Sequence, residues 1–190
     1  MPGSGKSTVG RHLARQLGWR FVDSDAEIER EIGEPIRAYF EQHGEAAFRD
    51  IEQAAIARLA QEPGVVLATG GGSVLRPANR EALIHGCVVI YLKSTAEDLF
   101  RRLRHDTQRP LLQVADPLKR LRDLYRERDP LYRATARFVI ETGRPTVPTL
   151  VNMILMQLEL AGIVDPHRPL PASSASPVPP APPEAPRRVG

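Results

Sequence analysis

MPGSGKSTVG (residues 1–10) carries the working half of a phosphate-binding loop, G-x-x-x-x-G-K-[ST], and its reading decides the fold. Met1, Pro2, Gly3 and Ser4 fill the variable positions ahead of Gly5-Lys6-Ser7, with Thr8 following. The motif's first glycine, and a strand to feed it, would fall before residue 1. The glycines allow successive backbone N–H groups to turn toward one centre and cradle polyphosphate oxygens. Lys6 is placed for the β- and γ-phosphates and the Ser7 hydroxyl for Mg²⁺. Val9, Leu13 and Leu17 recur at four-residue spacing and Gly18 stops the run, so a helix is predicted to start at the loop and aim its positive end at the anion. A chance Gly/Ser-rich turn beside a lysine is the alternative.

The bulk composition suits one globular domain with an extension: 190 residues, 42% apolar and 26% charged. A formal charge of +3 comes from dispersed arginines and lysines, so no nucleic-acid partner is expected. Cys87 is the single cysteine, which excludes an internal disulfide and points to a reducing, cytoplasmic compartment. Its place beside VVIYL suggests a buried structural thiol. The apolar stretch LVNMILMQLELAGIV is broken by Asn152, Gln157 and Glu159, too short for a membrane span, and reads as a packed terminal helix.

Strands and helices alternate along the chain. WRFV (19–22) reads as a strand ending in Asp23-Ser24-Asp25, and Ser24 with Glu27 as a capping box for a helix through Ile32. Helices follow over about 36–43 and 45–61, separated by Gly44. VVLAT (65–69) has the all-apolar character of a strand buried on both faces and breaks at Gly70-Gly71-Gly72. A helix over 78–85 leads to VVIYL (88–92). A Ser94–Glu97 box opens a helix to about residue 104, and another helix covers 118–128. RFVI (137–140) reads as a strand and 149–160 as the last helix. This alternation predicts an α/β protein with a parallel sheet covered by helices on both faces. Nine of the 18 prolines fall in residues 165–190, which read as a disordered Pro/Ala-rich tail.

Further features group around the loop. Asp23 and Asp25 flank Ser24 at the carboxyl end of a strand, where ligands collect in open α/β sheets and where both carboxylates can face one cleft. Simple helix capping is the alternative. The triple glycine permits close backbone approach to a ligand, or is just a tight turn. Arg49 can pair with Glu52, and Arg109 and Arg128 stand in polar, proline-bearing contexts; each alone would pass for a solvated charge.

In order, GSGKST, DSD, FRDIE, GGG, RPLL and RDPLYR resemble the shikimate kinase family, within the nucleoside monophosphate kinase group of P-loop proteins, over about residues 1–160. The resemblance implies ATP-dependent phosphorylation of the 3-hydroxyl of shikimate, on the route to aromatic amino acids, with Mg²⁺ as cofactor and a monomer as the working unit. It implies a kinase domain over 1–164 with a lid at about 106–116 and substrate-binding helices at about 25–61. It further implies roles. Lys6 stabilises the transferring phosphoryl group, and Gly3, Ser4, Gly5, Ser7 and Thr8 complete the ATP loop. Ser7 and Asp23 serve the metal, and Asp25 meets the hydroxyls of shikimate. Arg49 and Arg128 grip its carboxylate, with Glu52 orienting Arg49. Gly70, Gly71 and Gly72 line the substrate, Phe40 and Phe48 wall the pocket or belong to the core, and Arg109 closes over the phosphates.

Two departures stand out. Family members begin with a central apolar strand that delivers the first loop glycine; without it, VLATG and its neighbours would pack around a gap, and residue 1 reads as an internal Met. ETGRP (141–145) follows the family's adenine end only loosely, with Arg144 as the stacking candidate. A gluconate-type kinase and a non-catalytic ligand sensor are the rival readings.

Overall fold

Leu13 and Val9 face inward from helix α1 (Lys6–Leu17), and their burial fixes the side on which this helix packs. The computed structural model describes residues 3–103 and 114–165. Helix α1 ends at Gly18 in a left-handed conformation, and strand β1 (Arg20–Asp23) follows, one residue later than WRFV suggested. Helix α2 (Ser24–Ile32) begins directly at the strand's end. Helix α3 (Ile36–Leu59) contains the two helices read from sequence, joined at Gly44, whose φ of 81° and ψ of 171° break the helical path. Only glycine reaches that backbone geometry without strain, so the kink is written into the sequence.

Strand β2 (Val65–Ala68) pairs in parallel with β1, Asp23 opposite Ala68. Helix α4 (Pro77–Gly86) leads to β3 (Ile90–Lys93), and α5 (Ala96–Leu103) follows. Helix α6 (Pro117–Thr135) is longer than expected, since it runs straight through Pro130 instead of ending at Arg128. Pro130 lies on the exposed face, where water can solvate the carbonyl that loses its donor, and buried Leu121 and Leu124 anchor the helix on the other side. Strand β4 (Phe138–Glu141) pairs in parallel with β3, and α7 (Val147–Leu160) closes the described chain.

The parallel strands form two pairs, β1–β2 and β3–β4, and among the described residues no ladder joins β2 to β3. Between them lies an apolar cavity of about 370 Å³, lined by Leu13, Val66, Leu67, Val89, Tyr91 and Ile154 among others. The gap foreseen from the sequence is thus present, flanked by two strand edges. Helices α1 and α7 bridge the pairs: Val9, Leu13, Leu92, Ile140, Leu150, Val151, Ile154 and Leu158 make one buried cluster. The apolar stretch near the end of the chain is therefore a packed helix, and no helix among the described residues is long and apolar enough to cross a membrane. Cys87 is half-buried against the Ala60 carbonyl, and burial pushes its thiol above the ordinary range.

Two capping expectations are corrected. Asp23, not Ser24, caps α2, its carboxylate accepting from the backbone N–H of Asp25, while Glu27 pairs with Arg30. At α5 the hydroxyl of Thr95, not Ser94, accepts from the N–H of Asp98, and Ser94 bonds the Thr142 hydroxyl.

Candidate active site

The phosphate end is built by two glycines and a helix. Gly3 and Gly5 have φ values of 74° and 86°, the left-handed turns that bring loop N–H groups round to one centre. Helix α1 starts at Lys6 with no acid in its first turn, leaving its positive end uncompensated by side chains of its own. Thr8 is exposed on that first turn and Ser4 is fully buried beneath it. The Ser7 hydroxyl donates to Asp23 Oδ2 at 2.8 Å, so the two expected metal-binding groups lie side by side. Among the described residues no three His, Cys, Asp or Glu groups converge to hold a metal unaided. One hydroxyl and one carboxylate suit Mg²⁺, which keeps several waters and takes substrate phosphates as further ligands.

The triple glycine meets the opposite side. Its first residue is fixed by Ser24, buried completely, whose hydroxyl accepts from the Gly70 N–H at 3.1 Å. A Cβ on Gly70 would lie 2.5 Å from Asp25 Oδ1, and one on Gly72 would lie 2.5 Å from both terminal nitrogens of Arg49. These glycines are needed because functional side chains occupy the space a methyl group would take. Gly72→Ala is accordingly expected to raise the KM for the molecule that Arg49 holds by about tenfold or more, since Glu52 leaves the guanidinium little freedom to retreat; steady-state kinetics with the KM for ATP as internal control checks this.

Arg128 Nη1 and the Tyr132 hydroxyl both donate to the Gly71 carbonyl, at 3.0 and 2.6 Å. Four residues apart on an unbroken helix, they share one face. Tyr132 stacks on Tyr91 with ring centroids 4.8 Å apart, and the Tyr91 hydroxyl donates to Asp129. Burial pushes the Tyr132 hydroxyl up to about 12, which keeps it a proton donor to Gly71. Arg128 Nε is buried with no hydrogen-bond partner among the described residues. A buried, unsatisfied guanidinium donor is costly unless a ligand acceptor completes it.

Arg49 projects from α3 beside the same turn. Its Nη1 donates to Glu52 Oε2 at 2.7 Å, and Glu52 is itself 1% exposed and accepts from the Ser73 hydroxyl at 3.0 Å. The pair read as a possible surface salt bridge is therefore a buried one, with Glu52 orienting Arg49. Phe48 lies under the guanidinium, 5.4 Å from its centre, and packs against Phe40 in a cluster with Ile28 and Ala55. Phe48 is thus a core residue that also forms the floor beneath Arg49, and Phe40 packs, partly buried, against it.

Asp25 is the most perturbed acid here. Its pKa is raised to about 6, first by burial and then by the nearby Asp23 and Glu52 charges, with Lys6 pulling the other way. The charges of Lys6, Asp23 and Glu52 all reach the Asp25 carboxylate. The candidates that join this cluster are Lys6, Ser7, Asp23, Asp25, Arg49, Arg128 and Gly70 to Gly72. Arg144 stands apart, exposed between β4 and α7, and Arg109 lies outside the described residues, as does most of the expected lid. Tyr132 and Ser73 were not singled out from the sequence, and Ser24 was read there only as a cap. Only Tyr132 left a signal there, its four-residue distance from Arg128, and the intervening proline hid it.

The profile of the shikimate kinase family matches residues 2–159. A shikimate kinase of Paracidovorax citrulli is 59% identical over 169 residues, covering 87% of this chain and 92% of the relative. One from Burkholderia lata is 57% identical over 162 residues, covering 85% and 88%. Among solved structures, shikimate kinase from Acinetobacter baumannii in complex with shikimate superposes with a TM-score of 0.79 at 45% identity, over 86% of this chain and 90% of that one. The enzyme from Aquifex aeolicus gives 0.75 at 30% identity, over 86% and 95%.

Proposed function

The chain belongs to the shikimate kinase family, an ATP-dependent kinase phosphorylating shikimate, and from that premise we propose how its residues divide the work. The observation that carries the assignment is the meeting of Asp25, Arg49 and Arg128 on one three-glycine turn, in the electrostatic reach of Lys6.

Phosphoryl transfer asks for alignment and charge neutralisation more than covalent help. Gly3, Ser4, Gly5 and Thr8 frame the ATP phosphates, and Lys6 balances the charge that builds on the transferring group. Ser7 and Asp23 would hold Mg²⁺, which when bound neutralises phosphate charge and fixes the triphosphate's conformation. Arg49 and Arg128 take the carboxylate of shikimate as planar forks, the geometry for which guanidinium is suited and ammonium is not. Asp25 accepts a hydrogen bond from the 3-hydroxyl, aims its oxygen at the γ-phosphorus, and takes its proton as the new O–P bond forms and the bond from the γ-phosphorus to the β–γ bridging oxygen breaks, releasing ADP. Arg109 comes over the phosphates on closure of the segment around 106–116, excluding water as a competing acceptor. Arg144 is the side chain we assign to adenine. We place the enzyme in the cytoplasm, where the lone thiol suits a reducing compartment, and take a monomer as its working unit.

ADP release measured with ATP alone, with shikimate and with gluconate tests the reading; turnover that ignores shikimate would reject it. A sharper test concerns the clamp. Arg128→Lys retains the charge but loses the fork and leaves the Gly71 carbonyl to Tyr132 alone. The KM for shikimate is expected to rise roughly tenfold to a hundredfold, the equivalent of one charge-assisted hydrogen bond, with the KM for ATP little altered. Unchanged shikimate affinity would remove Arg128 from the clamp.

A further inference from the structure

We propose that Glu45 is a placeholder carboxylate, seated on the edge of Arg49 that shikimate's own carboxylate takes over. The proposal rests on the reading of Arg49 as a carboxylate clamp. The guanidinium of Arg49 has two acidic partners of different kinds. On one side Nη1 meets Glu52, whose side chain is 2% exposed and is held by the Ser73 hydroxyl. On the other, Nε and Nη2 both donate to a single oxygen of Glu45, Oε1, at 3.2 and 2.9 Å. The Nε–Nη2 edge can form two parallel bonds with a carboxylate. Glu45 uses it with one oxygen only, so an incoming carboxylate that offers both oxygens makes the better pair.

Exposure decides which acid yields. The Glu45 side chain is 63% exposed, while that of Arg49 is 13% exposed. Releasing Glu45 returns its carboxylate to water at small cost, whereas releasing Glu52 would strand a charge in the protein interior. Glu45 also has somewhere to go. It directly follows the break at Gly44 and so stands at the start of the second helical segment of α3, where a negative side chain is favourable. Glu52 is thus the permanent partner that aims Arg49, and Glu45 the exchangeable one that satisfies its open edge until substrate arrives. The consequence is competition: part of the affinity between Arg49 and shikimate is offset by evicting Glu45.

The test is substrate affinity in Glu45→Gln and Glu45→Ala enzymes, measured with shikimate and, for binding, with its uncharged methyl ester. Removing the competing charge is expected to lower the KM for shikimate about twofold to fivefold, the size of one exposed ion pair, with the gain in KM and not in kcat. Binding of the methyl ester is expected to stay as in the unaltered enzyme, because it brings no carboxylate to compete. A KM for shikimate that is unchanged or raised in both variants overturns the proposal, as does an equal gain for the ester. Arg49→Lys separates the two levels of inference. If it weakens shikimate binding while the Glu45 variants bind as before, the placeholder alone is wrong. If it leaves shikimate binding intact, the clamp reading fails and the placeholder with it.

Discussion

Asp25→Asn is expected to make the protein more stable and nearly inactive at once. Burial, Asp23 and Glu52 together raise the Asp25 pKa from 3.8 to about 6 in the folded state. The folded chain therefore binds this proton more tightly than the unfolded chain does. The associated stabilisation is complete below about pH 4 and is lost as pH rises through about 6. Above that, the ionised carboxylate costs on the order of 2–3 kcal/mol, because each tenfold change in proton affinity is worth about 1.4 kcal/mol. Asparagine keeps the shape and removes the charge. In metal-free buffer at pH 8 the variant should melt several degrees higher, since 1 kcal/mol moves a domain of this size by about 2–4 °C. At pH 4 the advantage should disappear. Activity should fall roughly 10²–10⁴-fold, the usual range for losing a positioned proton acceptor. Melting curves at the two pH values and kcat at saturating substrates check both halves. A variant that melts lower at pH 8 would sink the electrostatic account even if activity fell.

The second large effect is expected from Lys6→Met, which keeps an unbranched side chain of similar reach without its charge. Removing one preorganised cation from a developing phosphoryl charge costs roughly 10²–10³ in rate. Because Lys6 lowers the Asp25 pKa, its loss should also carry that pKa further above about 6. The variant should therefore combine slow phosphoryl transfer with a later onset of activity as pH increases. Single-turnover transfer measures the first, and an NMR titration of the Asp25 carboxyl in the nucleotide-free protein measures the second. Transfer within tenfold of the unaltered enzyme would show that the loop lysine is not needed at the reacting centre.

Local chemistry was legible in the sequence wherever it was decided locally. The loop, the helix it opens and the acid pair after β1 depend on residues within a few positions of one another. What escaped depended on distant partners. Ser24 has the right chemistry for a cap, but the Gly70 N–H, 46 positions away, takes its hydroxyl, and Asp23 caps in its place. Pro130 looks like a helix stop, yet its exposed position and the anchoring of Leu121 and Leu124 carry α6 past it. Arg49 and Glu52 are spaced for an ordinary surface pair; only packing against Phe48, Ser73 and Gly72 makes theirs a buried and directed one. The separation of β2 from β3 matches the gap expected beside VLATG.

Three consecutive residues, Gly70 to Gly72, touch helix α2 through Asp25 and Ser24, helix α3 through Arg49, and helix α6 through Arg128 and Tyr132. A side chain at Gly70 would press on Asp25 and one at Gly72 on Arg49, so the two positions answer to different partners. A library randomised at Gly70 and Gly72 and selected for turnover should return chiefly glycine.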